Sequence, residues 1–418
     1  RSRTQDLANR AAAWLTYIAL TVGAVTLASW LIAGFAFDFS LERMVTVMVI
    51  TCPHALGLAI PLVVAVSTSK AARNGLLIRD RAAFERARTT DVFVFDKTGT
   101  LTEGRFGVSD VVTLGDRDGN EVLGLAAALE SRSEHPIAVG ITDEASERDI
   151  APSEASDFEN LPGEGVQAQV DGDTVRIVSP GYLEREGIAI DDDRVERLAE
   201  QGKTVVFVLV DNQPAGAIAL SDIIREVSRE AVDRLRAMGM QCMMLTGDSQ
   251  PVAKAVADEL GLDDFFAEVM PDQKASRIRE LKKKGLSVAM VGDGVNDAPA
   301  LTEADLGIAI GAGTDVAVES ADIVLVNSDP RDVATVTELS AATYRKMIQN
   351  LWWAAGYNIV AIPLAAGVLY GVGFLMPPAI GAAVMSVSTI VVAINAKLLE
   401  RFKPGAQKGG GDKAAEAA

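Results

Sequence analysis

In VFDKTGTLTEG, residues 94–104, an apolar run (Val92, Phe93, Val94, Phe95) stops at Asp96 and breaks into Lys, Thr and Gly. The run reads as a strand that delivers a carboxylate to its own C-terminal tip. The same punctuation recurs in QCMMLTGD (241–248) and LSVAMVGDGVNDAPAL (286–301), and DLGIAI and DIVLV supply two further strands. Helical patterns such as QPVAKAVADEL and DQKASRIRELKKK lie between them. Alternating strand and helix predicts an α/β fold, a doubly wound parallel sheet that binds ligands at the carboxyl ends of its strands. Asp96, Thr246, Gly247, Asp248, Asp293 and Asp297 then share one edge.

A lone Asp at a strand tip is usually a loop cap. Several such tips, with Thr, Gly and Lys beside them, point instead to phosphoryl chemistry. Asp96 is the candidate nucleophile. Asp293, with Asp96, can hold Mg²⁺, which prefers a few hard oxygen ligands plus water. Thr246 and neighbouring amides can grip phosphate oxygens, and Lys274 in MPDQK can neutralise developing charge.

Working outward, residues 14–35, 44–66, 351–373 and 379–396 are almost uncharged apolar runs, each long enough to cross a bilayer as a helix. The first follows a charged, helix-like segment and lacks a cleavage pattern, so it is not read as a signal peptide. Lys70, Arg73, Arg79 and Arg81 follow the second run, Arg345 and Lys346 precede the third, and Lys397, Arg401 and Lys403 follow the fourth. The positive-inside rule then makes both termini and the large intervening domain cytoplasmic in a multi-pass membrane protein. A formal net charge of −18 argues against a nucleic-acid surface and suits either a salt-rich cytoplasm or simple solubility. Two cysteines, Cys52 and Cys242, imply no disulfide framework. Residues 404–418 read as a disordered tail.

Residues 105–215 are rich in short alternating strands such as GVQAQV and TVRIV, and hold His135 and Pro136 in SEHP, five residues after Glu130. GEGV contributes Gly163 and Gly165, which would let backbone approach a planar base closely. A lone surface His is usually idle; this company makes it a nucleotide-contact candidate.

The second apolar run contains ITCPHALGLAIP. Side chains two apart on a regular helix point about 200° from each other, so Cys52 and His54 could share a ligand only if Pro53 distorts the turn. The plain alternative is a proline kink with an incidental thiol. Polar groups are costly in a membrane, however, and the other runs add Tyr357, Asn358, Met385, Ser386, Ser388 and Thr389. Thiolate, imidazole and thioether suit a soft or borderline ion such as copper, and the membrane runs offer no carboxylates for a hard one.

The strings DKTGTLT, TGD and GDGVNDAPAL resemble the haloacid dehalogenase superfamily and, within it, P-type ATPases. That resemblance implies ATP and Mg²⁺ as cofactors and Asp96 as the phosphorylated residue, with Lys97, Thr98, Gly247 and Asp248 in the catalytic loops. It adds Thr98 to the Mg²⁺ ligands, and Asn296 and Asp297 as residues ordering ion and phosphate. Glu130, His135, Pro136, Gly163 and Gly165 resemble the nucleotide signature of the heavy-metal-transporting branch; VSPGYL departs from it where many relatives have a Gly-Asn pair. Cys-Pro-His is similar to the copper-type subgroup, which leaves Cu⁺ or Cu²⁺ open and implies export driven by ATP. Tyr357, Asn358, Met385 and Ser388 are then candidates to complete the transported-metal site.

The implied organisation is two membrane helices with linker (1–88), a phosphorylation domain (89–104 and 216–335) interrupted by a nucleotide-binding domain (105–215), and two further membrane helices (336–403). No Thr-Gly-Glu loop precedes Asp96, so the actuator domain of such pumps is expected to be missing, either cut away or on another chain. Two alternatives remain: a membrane-tethered phosphatase of the same superfamily without metal cargo, and a non-catalytic metal-binding subunit.

Overall fold

The computed structural model describes residues 3–52, 54–131, 133, 135–293, 296–311 and 319–405. The chain divides into two compact units, one of residues 1–90, 286–289 and 301–418, the other of residues 91–285 and 290–300.

The second unit holds the quoted strand tip. β2 (Val92–Asp96) is buried along its whole length, as expected of a strand with both faces covered. It pairs in parallel with β9 (Gln241–Leu245), with Asp96 opposite Leu245, and β9 pairs in parallel with β10 (Asp264–Phe266). On the other side of β2 runs β11 (Val288–Gly292), whose last three residues belong to this unit. Each of these apolar runs is a strand with its chemistry at the carboxyl end.

The remaining strands of this unit form an antiparallel sheet of six in the order β3-β8-β7-β6-β5-β4. These are β3 (Thr102–Thr113), β4 (Ala155–Leu161), β5 (Gly165–Val170), β6 (Asp173–Val178), β7 (Thr204–Val210) and β8 (Gln213–Ile224). Side chains alternate faces along a strand. Val175, Ile177, Val206 and Val208 therefore pack with the Gly119–Glu130 and Pro136–Glu147 helices, while Val178, Val205, Phe207 and Leu209 pack with Tyr182, Leu183, Val195 and Leu198 on the opposite face. β3 and β8 pair with each other, Thr102 opposite Ile224, so the inserted sheet leaves and re-enters beside the Asp96 loop.

In the first unit, β12 (Leu306–Ile310) pairs in parallel with β13 (Ile323–Leu325), and β1 (Leu76–Ile78) runs antiparallel at the edge. The sheet is thus mixed rather than wholly parallel, because β1 comes straight from a membrane helix without a crossover.

The apolar runs depart from four simple spanning helices. Three candidate spans are long and apolar enough among the described residues: Arg10–Ile32, Phe37–Arg73 and Pro378–Arg401. The second is interrupted: one helix ends at Ile50 and the next begins at His54. Pro53, expected to cause the distortion, lies outside the described residues. The third run is not one helix either. Arg331–Gly356 is followed, after Tyr357, by Asn358–Ala366, which contains Pro363 and stops at Gly367. Proline removes an amide from the helical ladder and crowds the carbonyl four residues back, which shortens this element.

Candidate functional site

β2 carries Asp96 to a loop, Lys97–Leu101, in which Gly99 takes a positive φ of 75°. A side chain on Gly99 would be strained, and its Cβ would sit 3.9 Å from Asp293 Oδ2. The loop therefore turns beside the carboxylate that follows β11. Asp96, Lys274 and Asp297 are nearly sealed from solvent, at 6%, 7% and 1% exposure. Lys274 opens the Lys274–Lys283 helix, and its Nζ donates to Asp96 Oδ1 and to Asp297 Oδ1, each at 2.6 Å. One ammonium thus bridges the tips of two segments two hundred residues apart in sequence.

Charge and burial compete here. Burial, then the Asp297 carboxylate, push Asp96 up to about 7 against the pull of Lys274, and Asp293 adds to the push. Burial also raises Asp297. Burial alone would lower Lys274, but the two carboxylates more than offset it and hold the ammonium charged.

On the other side of the loop, Lys97 Nζ lies 2.6 Å from Asp248 Oδ2 and 3.5 Å from Asp222 Oδ2. Asp222 also accepts from Thr102 Oγ1 (2.6 Å) and from the Gly104 amide (3.1 Å). Sequence reasoning missed Asp222; its only signal is an acidic residue at the end of the apolar strand β8. Thr246 is 3% exposed at the tip of β9, and its hydroxyl accepts from the Asp248 amide at 3.1 Å, shaping the TGD turn around Gly247. Thr98 is exposed in the Asp96 loop, and Asn296 is exposed beside Asp297.

The nucleotide candidates converge on a second place. A cavity of about 370 Å³ is lined by Glu130, His135, Gly163 and Gly165 together with Ser179 and Val206. His135 caps the Pro136–Glu147 helix, its Nδ1 accepting from the Ile137 amide at 3.3 Å, with Pro136 in the first turn. Glu130 is buried, which raises its carboxyl, and a Ser133 hydrogen bond opposes the shift. Gly165 has a φ of 149°, and any Cβ there would strike the Ile177 carbonyl. Only glycine fits this wall.

In the membrane unit, Cys52 and His54 flank the helix break and line an open pocket of about 360 Å³ with Gly57 and Leu58. The other candidates surround that helix pair differently. Tyr357 Oη donates to the Ile50 carbonyl at 2.9 Å. Ser388 is buried and donates to the Trp353 carbonyl at 3.3 Å. Met385 is half-buried one turn earlier on the Pro378–Lys397 helix. Asn358 is 3% exposed, and its Oδ1 has no hydrogen-bond partner. A buried polar atom left unpaired costs free energy, so a ligand that used it would be favoured. Among the described residues no group of three or more His, Cys, Asp or Glu side chains could hold a metal. A membrane site built here needs thioether, amide, hydroxyl or carbonyl donors beside Cys52 and His54.

Comparison with known proteins matches residues 90–305 to the haloacid dehalogenase-like hydrolases. The chain is 63% identical over 399 residues to the copper-exporting P-type ATPase B of Archaeoglobus fulgidus, covering 96% of this chain and 57% of that protein. It is 48% identical over 401 residues to a probable copper-transporting P-type ATPase B of Staphylococcus aureus, covering 96% and 60%. Among solved structures, a zinc-transporting PIB-type ATPase in the E2.Pi state superposes with a TM-score of 0.78 at 34% identity, over 93% of this chain and 62% of that one. The chain therefore spans about three fifths of the length of these relatives. With the strand tips of Asp96, Thr246 and Asp297 inside the matched residues 90–305, the chain belongs to the haloacid dehalogenase-like hydrolase family, and over the length it shares with them it is similar to P-type ATPases of the PIB type.

Proposed function

We propose that this chain carries the phosphorylation, nucleotide and metal machinery of ATP-driven copper export through an aspartyl phosphate. The observation that supports this best is Asp96, sealed from water and bridged through Lys274 to Asp297. An oxygen of Asp96 attacks the γ-phosphorus of ATP, the bond to the β,γ-bridging oxygen breaks, and ADP leaves with the electron pair. Lys274 stands where negative charge on the transferring group needs a fixed cation. Thr246 and the amides of its turn would receive phosphate oxygens. Lys97, held by Asp248 and Asp222, keeps the loop in register.

Mg²⁺ fits the charge pattern, because Asp293 and Asp297 both raise Asp96 by like-charge repulsion that a divalent cation would relieve. Asp96, Asp293 and the Thr98 region are the residues that would hold it, and it would screen phosphate charge and free Asp96 of its proton. Glu130, His135, Gly163 and Gly165 are proposed to receive the adenine end of ATP. The cargo reading rests on Cys52 and His54 at the helix break and on the names of the relatives. Cu⁺ suits the thiol and a thioether from Met385, while His54 also admits Cu²⁺. The PIB-type ATPase that superposes is zinc-transporting, and titration with copper and zinc side by side distinguishes the two cargoes. Orientation with the large domain in the cytoplasm follows from the basic flanks of the membrane runs.

The test is Asp96→Asn, which keeps size and removes the nucleophile. The parent chain should form an acid-stable, hydroxylamine-labile phosphoenzyme from ATP and Mg²⁺, and the variant none. Label retained in the variant would place the nucleophile elsewhere.

A further inference from the structure

One helix and its C-cap residue touch both halves of the broken span. Tyr357, at the end of Arg331–Gly356, donates to the carbonyl of Ile50, the last residue before the break (2.9 Å). Asn350, two turns earlier on the same face and fully buried, donates through Nδ2 to the carbonyl of Ala59, beyond the break (2.9 Å). Residues seven apart on a helix lie almost in line, about 10.5 Å apart along the axis. Ile50 and Ala59 are nine residues apart, which in an unbroken helix would be about 13.5 Å. The two anchors therefore lie on either side of the stretch that carries Cys52 and His54.

The lower anchor is itself braced. Asn350 Oδ1 accepts from Asn395 Nδ2 (2.8 Å), and Asn395 Oδ1 accepts from Lys346 Nζ (2.8 Å). Each amide donates onward in the same sense, so the chain runs from the Lys346 ammonium to the Ala59 carbonyl. Aligned hydrogen bonds started by a cation strengthen the last donor, and low dielectric strengthens all of them. The packing around both anchors is apolar: Val47, Ile50 and Ala361 beside Tyr357, and Ala55, Leu56, Ala59 and Ala354 lower down.

We infer that Tyr357 and Asn350 form a splint that holds the Cys52–His54 break open, with Asn395 and Lys346 as its support, so that Tyr357 positions the metal site rather than ligating it. The inference rests on the reading of Cys52 and His54 as the cargo site. The hydroxyl hydrogen of Tyr357 is donated to the Ile50 carbonyl, which ties the end of one helix to the end of the other. Two anchors act as one device: with either end released, the other no longer fixes the gap.

The experiment is a double-mutant cycle on the full chain in detergent, titrated with Cu⁺ alone under reducing conditions against a chelator. Cys52→Ser with His54→Ala comes first. If that pair leaves copper affinity unchanged, the cargo site is misplaced, which is a failure of the earlier reading and overturns the splint with it. If it abolishes binding, Tyr357→Phe and Asn350→Leu should each weaken copper about threefold to tenfold, the range of hydrogen bonds inside membranes. Stoichiometry and the copper X-ray absorption spectrum should stay as in the parent. The double variant should lose little more than the weaker single variant, because the anchors work together. Losses that multiply, unchanged affinity in Tyr357→Phe, or loss of an oxygen donor from the copper spectrum in that variant would each overturn the splint. Tyr357→Phe removes one hydroxyl and keeps the ring, so the test stands even if Asn350→Leu fails to fold.

Discussion

The Asp96 edge and the Cys52–His54 break are built on opposite principles. At Asp96 three charged groups are packed against one another almost without water, with both bonds of Lys274 at 2.6 Å. At the break the two donors are exposed, and order comes from carbonyls held two or more residues away by Tyr357 and Asn350. Phosphoryl transfer needs fixed charge at a defined point, which burial and ion pairing supply. Under the proposed function, a transported ion would have to enter and leave, which suits donors that are not locked to one another.

The largest effect that would break this contrast is expected at Lys274. Lys274→Met leaves two buried carboxylates without their cation, and breaking a buried pair from one side costs about 3–5 kcal/mol. Phosphoenzyme formation from ATP should fall by about two to three orders of magnitude, as when a charge-stabilising donor is removed. Raising Mg²⁺ should recover part of it. A quench-flow phosphorylation assay over a Mg²⁺ series reads this; near-parental rates would show that the bridge is structural only.

Next in size is the membrane pair. Cys52→Ser with His54→Ala should remove copper binding and any copper stimulation, yet leave nucleotide binding and phosphorylation by inorganic phosphate within about twofold, since residues that share no partners add independently. Equal loss of both reactions would mean that the two regions are not separable in the way their construction suggests.

The smallest expected effect is in pH. Asp96 titrates near 4 in an unfolded chain and is pushed up to about 7 here. The folded state keeps that proton longer, so the Asp96 contribution to stability is present at low pH and is lost as pH rises from about 4 to about 7. Metal-free thermal midpoints should decline across that window in the parent more than in Asp96→Asn. Phosphorylation should move the other way at limiting Mg²⁺, rising through pH 7 as Asp96 ionises, and should flatten when Mg²⁺ is saturating. A slope identical in parent and Asp96→Asn would remove Asp96 from the account.

Much of the Asp96 edge is legible from residue order because strand-tip chemistry is local. An apolar run ending in Asp, Thr or Gly announces both the strand and the group at its end, so Asp96, Thr246 and Asp297 could be named before any fold was seen. Asp222 was not readable in this way. It serves Lys97 from the far end of β8, and its place depends on β3 and β8 pairing with Thr102 opposite Ile224. In the membrane the apolar runs were legible but their continuity was not. Tyr357 and Ser388 read as ligand candidates because a polar group in lipid needs a partner, but sequence does not say whether that partner is an ion or a carbonyl.

The amino-acid sequence by itself determined the apolar runs, the strand-tip carboxylates, the glycines of the Glu130–His135 cavity and the soft donors at the break, since each depends on the intrinsic chemistry of a few neighbouring residues. Tertiary structure alone decided that Lys274 would bridge Asp96 and Asp297, that Asp222 would brace Lys97, and that Asn350 and Tyr357 would grip the two sides of one broken helix. These pairings span from tens to hundreds of residues, and hydrogen bonds and ion pairs act over about 3 Å. Only chain folding brings such groups within reach.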